Sequence, residues 1–576
     1  MSSTLAVCNT LIMSKCYSAR FMVVLFTCII LLDSLAWANL HTYKFVLEET
    51  NITRLCENYT IVTVNGQLPG PTLHVRNGDT LNVTVYNKAK HNATIHWYGV
   101  RQIRTAWADG PGYITQCPIQ PGGKFTYTFT IIDQEGTLWW HAHVSWLRAT
   151  VHGAMVIYPK RGSPYPFTHP HAEFPIVLGE WWNSDPIEVE EEAKLSGGAP
   201  NVSDAFTING QPGDLYNCSS SETTKFSVRK GKTYLLRIVN AAVNNHLFFR
   251  IASHNLTVVA VDASYTKPYT TDILVLSSGQ TADVLLTANQ AKAKYYMAAK
   301  LYTTQGFYDN TTTTAILSYR GSNSSATPIL PDLPEYDDTA TVTNFSRALR
   351  SLASQEHPVD VPQTIDDSSL ITVGLGLTPC ETSGNCSGPN NTRVSASMNN
   401  ISFVLPDIAV LQAYYFNISD VYTTDFPSNP PIEYNYNGNV DKTLWAPISG
   451  TRVKVIEYNA TVQIVFQATN IFQADNHPMH IHGYDFYVVG EGFANYDNET
   501  DPSSFNLVDP PQRNTVGVPV NGWTAVRFKA NNPGVRFVHC HFDDHVTWGL
   551  SMVFLVKKGP TESESLKGPP NNLPEC

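Results

Sequence analysis

The sequence predicts an all-β protein built from three β-sandwich (Greek-key) domains with few, short helices, and three observations carry that prediction. The 576-residue chain is only 15% charged, and Thr, Val, Tyr, Phe and Asn are abundant, a composition that favours half-buried strands over helices. Its length suits about three domains of ordinary size, each with ample volume for a core. Internal comparison then exposes one structural unit three times over.

The three copies align segment by segment. Leu81 to His96 (LNVTVYNKAKHNATIH), Tyr234 to Phe249 (YLLRIVNAAVNNHLFF) and Val462 to His480 (VQIVFQATNIFQADNHPMH) each give a strand, an Asn, a short loop and a returning His-bearing segment. Gly122 to His143, Gly279 to Lys300 and Gly522 to His541 each give two strands of alternating apolar residues around a Gly, Pro or Asn turn. The turn-rich stretches Asn65 to Pro71 and Asn209 to Gly213 also correspond. This spacing predicts a first domain at 39–160, a second at 161–325 and a third at 345–576. Residues 326–344, in the Pro- and Ser-rich region from Ser322 to Thr343, are expected to be the linker, and Cys380 to Asn391 an exposed loop.

Ahead of the first domain, Lys15 and Arg20 precede the apolar run Phe21 to Leu32 and the small-residue pattern Ala36-Trp37-Ala38. Residues 1–38 therefore read as a secretory signal. The run is too short to span a bilayer, and no later stretch is apolar for 18 residues. A secreted protein without a membrane partner is expected. Cys8, Cys16 and Cys28 leave with the signal, and Cys540 is set aside below as a metal thiolate. An even six remain, Cys56, Cys117, Cys218, Cys380, Cys386 and Cys576, enough for three disulfides in an oxidising compartment. Sixteen Asn-x-Ser/Thr sequons, among them Asn51, Asn201, Asn310, Asn344, Asn417 and Asn498, predict a glycoprotein. A net charge of −11 without Lys/Arg runs excludes nucleic acid and anionic membranes as partners, and a monomer acting on small molecules is expected.

The chemistry sits in four histidine-dense segments. His539-Cys540-His541-Phe542-Asp543-Asp544-His545 packs four soft-metal donors into seven residues. On a strand the side chains alternate, so His539 and His541 face one side and Cys540 the other. A thiolate with two imidazoles favours a mononuclear copper that carries electrons, and the paired imidazoles suit a second centre. The remaining donors are His96, then His141 and His143, then His477, His480 and His482; nine of the 18 histidines fall in these segments, which scattered solvated histidines do not explain. The second copy ends in Ala298-Ala299-Lys300 with only His246 near the repeat position, so it reads as a ligand-free spacer. A cluster drawn from the first and third domains must lie at their interface.

These four motifs, in this order and on a three-fold repeat, resemble the multicopper oxidases of the cupredoxin superfamily over nearly the whole chain. Ile95 to Ile119, Trp139 to Ala154 and the ending Asn571 to Cys576 are similar to plant laccases in particular. The resemblance implies cupredoxin-like domains and four coppers. His477, Cys540 and His545 would hold a type 1 ion, with Leu550 at the axial position, where a side chain without a donor raises the reduction potential. His96 and His480 would hold the type 2 ion. Of the type 3 pair, one would be held by His143, His482 and His539, the other by residue 98, His141 and His541. Implied disulfides are Cys117 to Cys576, Cys56 to Cys218 and Cys380 to Cys386. The implied activity is one-electron oxidation of phenols such as monolignols in the plant cell wall, the apoplast, where lignin forms, with O₂ reduced to water at the trinuclear cluster.

One position departs from the family. Its first motif is His-Trp-His-Gly, and this chain has His96-Trp97-Tyr98-Gly99. Tyr98 shares a face with His96, and a phenol of pKa about 10 is a poor ligand. Either a cupric ion draws the phenolate in, or the copper between His141 and His541 is held weakly and O₂ reduction is impaired. Three rival readings stand beside the laccase: an ascorbate oxidase, against which Leu550 and the wording from Arg101 to Asp109 weigh; a ferroxidase, for which no motif places an acidic cluster near His477 or His545; and a copper-poor wall glycoprotein that keeps only the fold.

Overall fold

Alternation decides the architecture. Along Thr80–Asn87 the residues Leu81, Val83 and Val85 are buried and their neighbours half-exposed, the pattern of a strand with one face on a core. The computed structural model describes residues 38–576 apart from 217, 220–221, 305–307, 324, 381–385, 389, 433–434, 439 and 441. Of the expected signal at 1–38, residues 1–37 lie outside the described residues. Among the described residues six sheets form, of four and four, six and five, and eight and five strands in chain order. Each pair of sheets encloses one apolar core, centred on residues such as Phe45, Val83 and Tyr127, then Ile176, Phe248 and Val284, then Ile464, Phe486 and Val526.

The sequence repeat is a topological repeat. Thr80–Asn87, Thr233–Asn240 and Thr461–Ala468 each lie parallel to an earlier strand (Leu40–Arg54, Glu173–Trp181, Asp367–Pro379). Each is antiparallel to a later one (Lys124–Thr130, Thr281–Thr287, Gly522–Lys529). The returning His-bearing strands Ile95–Tyr98, His246–Ile251 and His477–Ile481 pair with Gly136–Ala142, Lys294–Tyr302 and Gly534–Cys540. The Asn that closes the first strand ties down the loop behind it. Asn87 donates to the carbonyls of His91 and Ile119, both at 2.8 Å, and Asn240 donates to those of Asn245 and Leu276 at 3.0 and 2.8 Å.

Four α-helices punctuate the described residues: Pro186–Ser196, Thr339–Ala348, Val410–Phe416 and Asp543–Thr547. The first starts on Asp185, whose carboxylate accepts the Ile187 N–H, carries Pro186 at its first position and stops at Gly197, where φ is +70°. The second begins inside the stretch expected to be a linker. Its residues Val342 and Phe345, followed by Leu349, pack onto the second core, so this segment is docked. Their spacing is one face of a helix, a period the Pro- and Ser-rich composition hides. Disulfides join Cys56 to Cys218, Cys117 to Cys576 and Cys380 to Cys386, the pairs the resemblance implies, and Cys540 is a buried free thiol.

Candidate metal centre

Strand register brings the histidine motifs together. His96 lies opposite His141, and His480 lies opposite His539, while Met479 faces Cys540. The pleat therefore sends the histidines of both pairs to one side and puts Met479 and Cys540 in the third core. Burial, reinforced by neighbouring imidazoles, holds His141, His143, His480, His482 and His539 well below the usual histidine range. They are neutral, the form that binds a metal.

Five of these imidazoles, those of His96, His141, His480, His482 and His539, have Nδ1 committed. The Nδ1 atoms of His96, His141, His480 and His539 hydrogen bond to the carbonyls of Asp109, Ala142, Asn514 and Cys540 at 2.7, 2.7, 2.8 and 2.7 Å. His482 Nδ1 meets the Asp109 carboxylate at 3.0 Å. These acceptors fix the tautomer and leave Nε2 bare. The Nε2 atoms of His96, His141 and His480 are buried without any hydrogen-bond partner, and those of His482 and His539 face each other at 3.1 Å. Converging lone pairs repel unless a cation stands between them, so these donors fit a metal. Two sets have donor atoms within 4.8 Å of one another: His96, His480 and His482, and His143, His482 and His539.

A separate set lies on the other face of the same strand. His477 Nδ1 and His545 Nδ1 are 3.2 Å apart, and Cys540 Sγ is 3.9 and 3.3 Å from them. Here the imidazoles converge through Nδ1, the reverse of the cluster. Leu550 is buried beside them; its N–H donates to the His545 carbonyl at 2.9 Å and its carbonyl accepts from Cys540 N–H at 3.1 Å. Its side chain brings no donor. Burial pushes the Cys540 thiol well up, so a thiolate there needs a bound cation. Two imidazoles and a sulfur fit copper.

At the fourth expected position the rings of Tyr98, His141 and His541 come together, with centroids 4.6–5.7 Å apart, but their donor atoms do not converge. Tyr98 is buried with its hydroxyl on Thr515 Oγ1, and its ring stacks on His480 at 4.0 Å and meets His541 edge-on at 4.6 Å. Burial holds the phenol well above its usual range, so it keeps its proton. At Gly279, φ is +90° and an added Cβ would fall on the Tyr98 hydroxyl and against His541 Nδ1. His541 is crowded by a cation and a hydroxyl. Arg148 Nη1 is 3.0 Å from Nδ1 and 2.9 Å from Nε2, and Ser278 Oγ is also 3.0 Å from Nδ1. Arg148 is itself fixed, its Nη2 donating to the carbonyls of Val243 and His541 at 2.8 and 3.0 Å and its Nε lying 3.2 Å from Asp543. Among the described residues, no set of three His, Cys or carboxylate donors includes His141 or His541. Val243, Ser278 and Gly279 belong to the second sandwich, which supplies no donor to these sets but walls them.

A cavity of about 560 Å³ opens beside the thiolate set, lined by His545, Trp548, Phe472, Asp475, Asp544 and Glu180 among others. Asp475 Oδ2 is 3.5 Å from His545 Nε2, and Asp544 Oδ1 is 3.9 Å from it. Asp309 also lines the cavity. No motif places an acidic cluster here because the four carboxylates come from four distant stretches; the structure brings them together, correcting that expectation. Asp109 and Arg148 were missed for the same reason: a lone Asp in a Gly-Pro turn and a lone Arg after a His motif are ordinary in sequence.

Three family models, each described as Multicopper oxidase, match residues 46–162, 172–322 and 425–560. The chain belongs to the multicopper oxidase family, and is an oxidoreductase whose cofactor is copper. It is 54% identical over 563 residues to laccase-12 of Arabidopsis thaliana, spanning 96% of this chain and 99% of that one. It is likewise 54% identical over 551 residues to laccase-3 of Oryza sativa subsp. japonica, spanning 94% and 96%. These relatives put it among the plant laccases. Of solved structures, the laccase from Botrytis aclada superposes with a TM-score of 0.73 at 27% identity, covering 92% of this chain and 89% of that one. Fet3p, a multicopper oxidase that functions in iron import, also gives 0.73, at 22% identity over 93% and 94%, a likeness of fold.

Proposed function

We propose that this chain is a secreted laccase of the plant cell wall that oxidises phenolics, monolignols included, one electron at a time and passes the electrons to O₂. In this reading its domains are 39–160, 161–325 and 345–576, the signal is removed, and the glycosylated monomer acts in lignin metabolism. His477, Cys540 and His545 hold a type 1 copper with Leu550 at its axial side, His96 and His480 a type 2 copper, and His143, His482 and His539 a type 3 copper. Copper, when bound, supplies the one-electron chemistry that no side chain here offers.

The observation that carries this reading is the position of Cys540. Its Sγ lies 3.3 Å from Nδ1 of His545, which lines the cavity, while its chain neighbour His539 belongs to the other centre, so one covalent path joins the two. Trp548 and Phe472 would pack a phenol ring against the His545 edge, and Asp475 would accept the proton that a phenol sheds on oxidation. The depth of Leu550 keeps water from the sulfur side of the set.

Oxygen uptake by the purified protein tests the reading, with a methoxyphenol, ascorbate and ferrous ion as donors. Saturable uptake that is fastest with the methoxyphenol is expected. Fastest uptake with ascorbate makes the protein an ascorbate oxidase. Because the cavity carboxylates also suit a cation, fastest uptake with ferrous ion makes the metal ion the donor. No uptake with any of them leaves a non-enzymatic wall glycoprotein.

A further inference from the structure

We propose that this chain binds three coppers where its relatives' pattern has four, and that it reduces O₂ by two electrons, releasing hydrogen peroxide in place of water. The inference rests on the oxidase reading above and concerns its oxygen end. Three features of the structure meet at the missing position. Tyr98 turns its hydroxyl to Thr515 and lays its ring flat on His480, so no oxygen is offered to a metal. Arg148 Nη1 lies within 3.0 Å of both ring nitrogens of His541, and Ser278 Oγ is 3.0 Å from Nδ1. A positively charged guanidinium stands where a second cation would have to go. His141 alone keeps a bare Nε2, and one imidazole does not hold copper.

The consequence follows from counting electrons. Four are needed to take O₂ to two waters, and three one-electron carriers cannot supply them together. The closed-shell product within reach is peroxide. Two phenols each give up one electron and one proton, and O₂ takes both pairs: 2 ArOH + O₂ → 2 ArO• + H₂O₂. The O–O bond is never broken, and no further reductant enters. Arg148, whose side-chain nitrogens are already turned to His541, the Val243 carbonyl and Asp543, brings only its positive charge to this position. The Tyr98 phenol provides neither a ligand nor a charge.

The test uses the copper-loaded full-length protein. Copper per chain is measured by elemental mass spectrometry, and O₂ uptake is followed against methoxyphenol consumed, with and without catalase. Three coppers per chain are expected, with one O₂ consumed per two phenols and a two-fold fall in net uptake when catalase is added. Tyr98→Phe, which keeps the ring and drops the hydroxyl, should leave all three values unchanged. Tyr98→His should move copper toward four, shift the ratio to one O₂ per four phenols and abolish the catalase effect. Four coppers in the unmodified protein overturn the inference, as does loss of copper in Tyr98→Phe, which would make the phenol a ligand. Three coppers with one O₂ per four phenols overturn the peroxide product. If no donor gives uptake, the oxidase reading fails and the peroxide with it, while the copper count still decides the site.

Discussion

At Asp109 one buried carboxylate and its own carbonyl serve two imidazoles, His96 and His482, and so fix which nitrogen each turns toward the cluster. Asp475 stands in a similar relation to His545 at the cavity, but with a proton to receive. Asp475→Asn should lower kcat/KM for a methoxyphenol about 100-fold and leave oxidation of ferrocyanide, which sheds no proton, unchanged; equal losses on both donors would remove its proposed role as acceptor. Asp485 presents a different case. Burial pushes its carboxyl up to about 7, with Arg101 Nε 3.7 Å away and Oδ1 without a hydrogen-bond partner. Because the folded value is raised, its stability contribution is complete below about pH 4 and is lost as the pH climbs through about 7, on the order of 4 kcal/mol. Asp485→Asn should therefore melt higher than the parent above pH 7, the gap closing below pH 4; a gap that widens in acid would contradict the sign. The donors themselves were legible because each motif is contiguous. Asp109, Arg148 and Asp475 were not, since what makes them special is a neighbour tens to hundreds of residues away.

The repeat was legible at the level of elements because strand alternation is local, and so is the Asn that closes each first strand. The helix Pro186–Ser196 went unread although its stop and start signals, Asp185-Pro186 and Gly197, stand in the sequence. Its run of three glutamates offers no clear apolar stripe, and what makes it matter is tertiary. Glu190 accepts the Trp146 N–H at 3.2 Å and the Thr547 hydroxyl at 3.1 Å, tying the turn after His143 to the helix that carries His545. Asp185→Ala should cost about 1 kcal/mol of stability, read as a lower urea midpoint. Copper content should stay the same, because no donor sits on this helix; copper loss in the variant would assign the helix a larger part in holding the centres.

Across the whole molecule, the ending is sewn back onto the first sandwich. Cys576 is bonded to Cys117, Trp107 Nε1 donates to the Lys567 carbonyl at 2.9 Å, and Arg104 Nη2 donates to that of Glu562 at 2.7 Å. Cys576→Ser should cost about 2–4 kcal/mol and make residues 559–576 the first cut by a protease; an unchanged melting temperature would show that the packing alone holds the tail. Three sandwiches were foreseeable from the repeat, whereas the wall that Val243, Ser278 and Gly279 build against the cluster was not, because a copy without ligands gives no motif. The bond between Tyr98 and Thr515 joins residues 417 apart in the chain. At about 5–20 residues per second, synthesis takes roughly 20 to 80 s to travel between them. The first sandwich is therefore made long before its partner surface exists, and the order of events is set: metal loading at the interface comes after the third sandwich has docked, in the compartment where the chain completes its folding.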